Sequence, residues 1–184
     1  MKTLILRSII SILAWIIDGT VKKTDISIGW TEYEPGEDPG MERTELIRAA
    51  INASGNAYAP YSGFRVGAAL RLENGKIISG CNVENAAFPS GVCAERNAIA
   101  AASAAMPGVV PVAIAIAASG SDGLTGEPVP PCGNCRQVIA EEEYRNGKEI
   151  EIILYGKNKT IVIRGVDNLL PLKFNTKNLN PGSP

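Results

Sequence analysis

Three of the four cysteines lie where two helices are predicted to begin. Cys93 opens an alanine-rich segment, and Cys132 and Cys135 form a Cys-x-x-Cys pair directly after two prolines. If the two helix starts converge, the three thiols share an electropositive pocket, because the amino-terminal ends of helices favour thiolates. Thiolates bind Zn²⁺ in tetrahedral geometry, and three protein ligands leave one corner open for water, as in catalytic zinc sites. Zinc lowers the pKa of such a water to about 7, so hydroxide is supplied at neutral pH.

A carboxylate stands where it could carry the protons of this water. Glu95 follows Cys93 by two residues, at the predicted first turn of the helix, so it can lie beside the water without being a ligand. The pattern Cys-x-Glu followed by Pro-Cys-x-x-Cys is typical of zinc-dependent deaminases. Three thiolates outweigh the charge of Zn²⁺, so a neighbouring cation is expected to offset the excess. Arg96 and Arg136 each follow a motif residue directly, and we favour Arg96.

The fourth cysteine, Cys81, leaves two alternatives open. As a fourth ligand it would close a Cys₄ site, and the protein would be a non-catalytic module that zinc stabilises. In a secreted protein the four cysteines could instead form two disulfides. We expect Cys81 to be a free side chain at the end of a strand, which is the default for an unpaired cysteine. The absence of histidine from the sequence excludes a Ser-His-Asp triad, a Cys-His pair and a histidine-ligated metal.

The composition is that of one globular domain with a short surplus of chain. The 184 residues are 45% hydrophobic and 20% charged, which suffices for a buried core and excludes a disordered chain. Basic residues number 18 and acidic residues 19, so the net charge is −1. Proteins that bind nucleic-acid polymers usually carry a basic excess, because phosphate contacts dominate their affinity. We therefore expect a small-molecule substrate and no nucleic-acid polymer.

The patterning of the chain predicts alternating strands and helices. Thr44 can cap the first helix, and Asn74-Gly75 is a strong hairpin signal between the first two strands. The predicted helices cover residues 44–57, 93–106 and 132–144, and the predicted strands cover 65–72, 76–83, 112–118, 149–155 and 160–164. This order predicts an α/β fold, a three-layer α/β/α sandwich with a mixed five-stranded sheet.

The first 40 residues form an extension whose role the sequence leaves open. Residues 1–17 are apolar apart from two basic residues and a few small polar ones, yet no cleavage site follows them, and they are too short to span a bilayer. An interfacial anchor, a packed helix and codons upstream of the true start remain as alternatives. Residues 31–42 are rich in proline, glycine and acidic side chains, which predicts a loop or linker. We expect residues 1–40 to be this extension and 41–184 to be the zinc-dependent domain, with no membrane as a partner.

The long segment 58–100 and the segment 131–138, PCGNCRQV, resemble the cytidine deaminase family, in its short, homotetrameric type with three cysteine ligands. The resemblance covers residues 41–174. It implies one Zn²⁺ per subunit on Cys93, Cys132 and Cys135, with Glu95 as proton shuttle. The implied reaction is hydrolytic deamination of cytidine and deoxycytidine to uridine and deoxyuridine, in cytoplasmic pyrimidine salvage. A deaminase of another small aminopyrimidine nucleoside is the alternative.

The same resemblance implies a set of substrate contacts. Asn82 and Glu84 match residues that hydrogen-bond the ribose 3′-hydroxyl, and Phe64 and Ala94 match residues around the pyrimidine. Phe174 matches a carboxy-terminal phenylalanine that reaches the site of a neighbouring subunit. The chain departs from the family pattern at three positions, where tyrosine, threonine and alanine are common: Phe88, Asn97 and Asn134. These departures affect the expected ribose contacts and packing, whereas the zinc ligands are unchanged.

Overall fold

The computed structural model describes residues 22–179, so the alternatives for residues 1–17 lie outside the described part of the chain. The helices are α1 (Met41–Ser54), α2 (Ala94–Ala105), α3 (Gly133–Asn146) and the single turn α4 (Thr176–Leu179). The strands are β1 (Thr31–Tyr33), β2 (Arg65–Leu72), β3 (Ile77–Cys81), β4 (Pro111–Gly120), β5 (Gly123–Leu124), β6 (Glu151–Tyr155) and β7 (Thr160–Arg164). Two 3₁₀ turns, Phe88–Ser90 and Val166–Asn168, complete the list.

The strands form one mixed sheet in the order β1-β7-β6-β4-β2-β3, with β5 paired to the end of β4. Strands β4 and β6 are parallel, because α3 returns the chain between them, and the other pairs are antiparallel. The predicted mixed α/β sheet is thus confirmed, but the count of five strands was wrong, since residues 22–179 contribute seven strands to it. Both additional strands are only two or three residues long, which is too short to show a period of two.

Strand β1 lies within the segment that was predicted to be a loop. Thr31, Glu32 and Tyr33 pair with the outer edge of β7, so part of the amino-terminal extension belongs to the sheet. Helix α1 then begins at Met41, after Gly40, which has a φ of 105°. Thr44 donates its backbone N–H to the carbonyl of Gly40 at 3.0 Å and therefore lies inside the helix, so its prediction as the cap was wrong. The remaining predicted elements are present, and their ends differ by at most three residues.

Helices cover both faces of the sheet, which confirms the three layers. On one face, α1 buries Leu46, Ile47 and Ala50 against small and branched side chains of the central strands. On the other face, α2 and α3 pack over a second core. That second core contains Ala68, Leu70, Ile114, Ile116, Ile139 and Ile152. Among residues 22–179, no helix combines the length and the apolar character that crossing a membrane requires.

Two glycines set how closely the helices approach the sheet. A methyl group on Gly67 would stand 2.0 Å from the carbonyl oxygen of Ala50 in α1. A methyl group on Gly80 would stand 2.4 Å from the backbone nitrogen of Ala98 in α2. Because backbone atoms cannot swing aside, only glycine fits at either place. The contact at Gly80 holds α2, and therefore its amino terminus, at a defined height above β3.

Candidate active site

Two helix starts meet above one end of the sheet, and each begins at a cysteine. Cys93 is the residue before the first turn of α2, and Cys132 is the residue before the first turn of α3. Cys135 lies in the first turn of α3 and is fully buried. Its Sγ is 3.5 Å from the Sγ of Cys132, which is 4.0 Å from the Sγ of Cys93. All three sulfurs lie within 4.8 Å of one another.

This cluster fits a zinc ion. Two thiolates in a tetrahedral site with Zn–S bonds of about 2.3 Å lie about 3.8 Å apart, close to the distances found between these sulfurs. Cys81 stands outside the cluster, and its carbonyl instead accepts a hydrogen bond from Asn97 Nδ2 at 2.7 Å. Asn97, one of the departures from the family pattern, therefore ties α2 to the end of β3. Within residues 22–179 the site has three cysteine ligands, so a closed Cys₄ site does not form.

The three thiols differ in their electrostatic environment. Burial raises the pKa of Cys93 and, more strongly, that of Cys135. Burial also opposes ionisation of Cys132, but hydrogen bonds from the backbone of Cys135 and from the neighbouring thiols outweigh it and lower its pKa. The sequence predicted that helix starts would favour the thiolate of all three cysteines. Before zinc binds, the prediction holds for Cys132 and was wrong for Cys93 and Cys135, because burial outweighs the effect there. Zinc deprotonates the thiols that coordinate it.

Glu95 lies beside the cluster with its side chain almost completely buried. It is 4% exposed and lies in the first turn of α2. Burial raises the pKa of its carboxyl group, and contact with the thiol of Cys135 partly opposes that change. The negative charge of Glu95 in turn contributes to the raised pKa of Cys135, so the two groups are close neighbours. A buried carboxyl group with a raised pKa beside a metal site is suited to accept and release protons.

A groove of about 490 Å³ begins at Cys93 and is open to solvent. Its lining includes Tyr61, Ser62, Asn82, Glu84 and Phe88. The rings of Tyr61 and Phe88 meet edge to face, with centroids 5.9 Å apart. Phe88 was predicted only as a departure from the family pattern, and neither Tyr61 nor Ser62 was predicted as a site residue. The signal for these two was weak, because they lie in an irregular turn without periodicity.

Glu84 is held as an ionised acceptor in this groove. It accepts hydrogen bonds from the backbone N–H groups of Tyr61 at 2.9 Å and Ser62 at 3.2 Å, and from the hydroxyl of Ser62. The bond from the Ser62 hydroxyl is the largest cause of the lowered pKa of Glu84. Asn82 accepts from the N–H of Val66 at 2.7 Å and donates to the carbonyl of Phe64 at 2.9 Å. One Nδ2 hydrogen of Asn82 is left by these two bonds for a ligand.

The other predicted site residues occupy varied positions. Ala94 is fully buried at the start of α2. Phe64 stands just outside the lining of the groove, with 37% of its surface exposed. The guanidinium of Arg96 makes no hydrogen bond or ion pair with any residue between 22 and 179. Phe174 is 56% exposed, and its carbonyl accepts a hydrogen bond from Gln137 Nε2 at 2.7 Å.

The family to which this arrangement belongs is decided by comparison with known proteins. The family model described as the cytidine and deoxycytidylate deaminase zinc-binding region matches residues 41–147, more than half of the chain. The chain belongs to the cytidine deaminase family. The curated cytidine deaminase of Halalkalibacterium halodurans is 43% identical over 140 residues, which are 76% of this chain and 99% of that protein. The cytidine deaminase of Sporosarcina psychrophila is 41% identical over 141 residues, which are 76% of this chain and 96% of that protein.

Solved structures of cytidine deaminases share the fold. The crystal structure of the enzyme from Burkholderia pseudomallei matches with a TM-score of 0.62 and 40% identity, over 73% of this chain and all of that one. The structure of the enzyme from Mycobacterium tuberculosis matches with a TM-score of 0.59 and 31% identity, over 74% of this chain and 99% of that one. The family's zinc-binding region and the three-cysteine cluster agree, so the prediction of one zinc ion per subunit is confirmed.

Proposed function

We propose that this cytidine deaminase family member hydrolyses cytidine and deoxycytidine to uridine and deoxyuridine and releases ammonia. The observation that carries the proposal is the buried carboxyl group of Glu95, two residues after the zinc ligand Cys93 on α2. Cys93 itself lines one end of a groove large enough for a nucleoside. Cys93, Cys132 and Cys135 hold the zinc ion, which, when bound, supplies a water activated for attack at neutral pH. Residues 41–184 form the catalytic unit.

Glu95 moves the protons of the reaction. It accepts a proton from the attacking water and delivers it to N3 of the cytosine ring, which makes C4 electrophilic. The oxygen of the water adds to C4 as hydroxyl. Glu95 then takes the proton of that hydroxyl and passes it to the exocyclic amine, so the C4–N bond breaks, ammonia leaves and C4 becomes the carbonyl of uracil. Because the pKa of the buried carboxyl group is raised, it differs less from the pKa of the zinc-activated water, with which Glu95 exchanges a proton. One water is consumed for each ammonia released, so the atoms balance.

The groove holds the sugar and the base. The carboxylate of Glu84 accepts the ribose 3′-hydroxyl, and the remaining Nδ2 hydrogen of Asn82 donates to the same oxygen. Both cytidine and deoxycytidine carry this hydroxyl, so both are substrates. Phe64, which is partly exposed beside the groove, packs against the pyrimidine, and the fully buried Ala94, next to the ligand Cys93, backs this part of the site. Arg96, whose guanidinium is unengaged within residues 22–179, offsets the excess negative charge of the three thiolates.

The active assembly is a homotetramer in the cytoplasm, within pyrimidine salvage. Several large apolar side chains are exposed at the groove and on the carboxy-terminal segment, including Phe88 at 75% and Leu172 at 86%. A neighbouring copy that places its Phe174 over the groove would cover part of this apolar surface. The four cysteines are free thiols, as expected in a reducing compartment.

Turnover of cytidine, followed by the absorbance change of the pyrimidine, tests the reaction. We expect Glu95→Gln to lower kcat about 100- to 10,000-fold, because it removes the proton carrier and keeps the shape of the side chain. Zinc content is measured in both proteins, and Glu45→Gln on the exposed face of α1 serves as the matched control. Equal turnover by the wild type and Glu95→Gln would refute the role of Glu95. A wild type that binds zinc and leaves cytidine unchanged would refute the substrate and favour another aminopyrimidine nucleoside.

Glu84→Gln tests the sugar contact separately. The variant keeps an acceptor oxygen but loses the charge, so we expect a higher KM for cytidine with little change in kcat.

Phe174→Ala tests whether the ring of Phe174 acts in the site of another subunit. Phe174→Ala is mixed with Glu95→Gln, and turnover of the mixture is measured. In a hybrid tetramer, a site with an intact Glu95 from one subunit can receive an intact Phe174 from its neighbour. Partial recovery of activity on mixing is expected, and no recovery would contradict the shared site.

A further inference from the structure

The side chain of Arg136 takes a position that charge compensation does not explain. Arg136 follows the ligand Cys135, and the sequence analysis considered it as a second candidate to face the thiolates. Its guanidinium is instead engaged with two backbone carbonyls. Nε donates to the carbonyl of Pro131 at 2.9 Å, and Nη1 donates to the carbonyl of Leu169 at 2.9 Å. Arg136 therefore bridges the residue before the ligand Cys132 to the carboxy-terminal segment.

The carbonyl of Pro131 belongs to the peptide group that leads into Cys132. A peptide group is planar, so an oxygen held at a fixed place also holds the nitrogen and Cα of the following residue. Cys132 is extended, with φ −65° and ψ 165°, and its carbonyl accepts the first helical hydrogen bond of α3, from the N–H of Arg136 at 2.9 Å. The peptide group on its amino-terminal side lies outside the helix. The direction of its Sγ therefore depends on the orientation of this peptide. The approach to Cys132 contains Pro128, Pro130 and Pro131, which have no N–H with which to anchor the loop.

The second end of the bridge is itself firmly held. Leu169 donates its N–H to the carbonyl of Val166 at 2.8 Å and packs against the second core, which α2 and α3 cover. Val166 is fully buried, and its N–H donates to the carboxyl of Glu143 on α3 at 2.9 Å. The segment after β7 thus forms a fixed support, and Arg136 transmits that support to the start of the Cys-x-x-Cys loop.

We propose that Arg136 is a positioning residue that retains zinc by bracing the peptide before Cys132. The brace needs two donor nitrogens held apart on one rigid plane, which the guanidinium of arginine provides through Nε and Nη1. Lysine carries its three donors on a single nitrogen at the end of a flexible stem. A role in charge compensation, by contrast, would be served by either cation. This proposal rests on the zinc site and is independent of which nucleoside is the substrate.

The rate of zinc release to a chromophoric chelator, measured on the full chain without substrate, tests the brace. We expect Arg136→Gln and Arg136→Lys both to release zinc about 10- to 100-fold faster than the wild type, the range found when groups that orient metal ligands are removed. The matched control is Arg145→Gln, which removes an arginine at the far end of the same helix, where it pairs with Glu142. We expect the control to release zinc at the wild-type rate.

A second measurement separates bracing from general loss of stability. Cobalt is substituted for zinc, and the visible absorption bands report the geometry of the cysteine ligands. We expect both Arg136 variants to show altered bands, and Arg145→Gln to match the wild type even if its thermal midpoint falls. If Arg136→Lys released zinc at the wild-type rate and showed the wild-type absorption bands while Arg136→Gln did not, the positive charge alone would be what matters. That result would overturn the proposal. Wild-type behaviour of both variants would overturn it as well, and Arg136→Lys keeps the test available if Arg136→Gln does not fold.

Discussion

Replacing Gly80 by alanine tests how strongly the cysteine cluster depends on the contact between α2 and the sheet. The added methyl would stand 2.4 Å from the backbone nitrogen of Ala98 and 2.7 Å from the carbonyl oxygen of Ala94. An ordinary contact begins at 3.4 Å, so α2 must move by about 1 Å away from β3. Overpacking of this kind costs about 1–3 kcal/mol of folding free energy. Since α2 begins at Cys93 and carries Glu95, the shift also displaces a zinc ligand and the proposed proton carrier.

We expect Gly80→Ala to lower turnover as well as stability. A misplacement of about 1 Å at a catalytic group can lower the rate about 100-fold, so we expect Gly80→Ala to lose that much kcat per bound zinc. Gly67→Ala is the matched control, because its methyl would stand 2.0 Å from the carbonyl oxygen of Ala50 on the opposite face of the sheet. Helix α1 carries neither a ligand nor Glu95. We expect this control to be destabilised to a similar extent or more and to keep its turnover per zinc.

The assay combines urea denaturation, zinc determination and cytidine turnover on the same preparations. Gly120→Ala, which adds a methyl group where no atom lies within 4 Å, controls for the substitution itself. Wild-type turnover per zinc in Gly80→Ala would refute the reasoning, because α2 would then have absorbed the displacement without moving its first turn. An equal loss of turnover in Gly67→Ala would also refute it, since the effect would follow stability and not the position of α2.

Two further predictions concern stability and its dependence on pH. Glu151→Gln breaks a bidentate pair in which Arg43 donates from Nε and Nη2, each at 2.8 Å. The hydrogen bond from Arg43 lowers the pKa of Glu151, so the stabilisation is present above the unfolded pKa of about 4.3 and is lost as the pH falls through the folded value. We expect urea denaturation to show a loss of about 1–3 kcal/mol at pH 7 and a smaller loss at pH 2, and equal losses would contradict this. Burial raises the pKa of Glu143, whose Oε1 accepts the N–H groups of Ile150 and Val166 at 2.9 Å each, so the carboxyl group contributes less stability as the pH rises through its folded pKa. We therefore expect Glu143→Gln, which keeps an acceptor oxygen, to be at least as stable as the wild type at pH 7. Glu143→Ala leaves two N–H groups unpaired, so we expect it to lose about 2–4 kcal/mol of folding free energy. Thermal unfolding at pH 7 measures both variants, and equal destabilisation of the two would contradict this reasoning.

Much of the fold could be predicted because its signals are local. Strand β2 alternates side chains between two faces, Asn74-Gly75 marks a hairpin, and the alanine-rich α2 has a helical period. Strand β1 was missed, because its three residues are extended only through hydrogen bonds to β7, more than 120 residues away. The start of α1 was misplaced for a related reason. Arg43 in its first turn is held by Glu151 and by the carbonyl of Pro39, and neither contact can be read from the local pattern.

By itself, the sequence determined the chemistry of the site. The zinc ligands and the proposed proton carrier Glu95 were recognisable from residue type and from separations of two or three positions at helix starts, and such short spacings survive folding unchanged. Tertiary structure alone decided where the long side chains go. Arg136 seemed able to reach the thiolates, but it reaches the carbonyls of Pro131 and Leu169, because α3 packs against the carboxy-terminal segment. The groove was decided in the same way, since Tyr61 comes together with Glu84 and Phe88 only when the connection between α1 and β2 meets the one between β3 and α2.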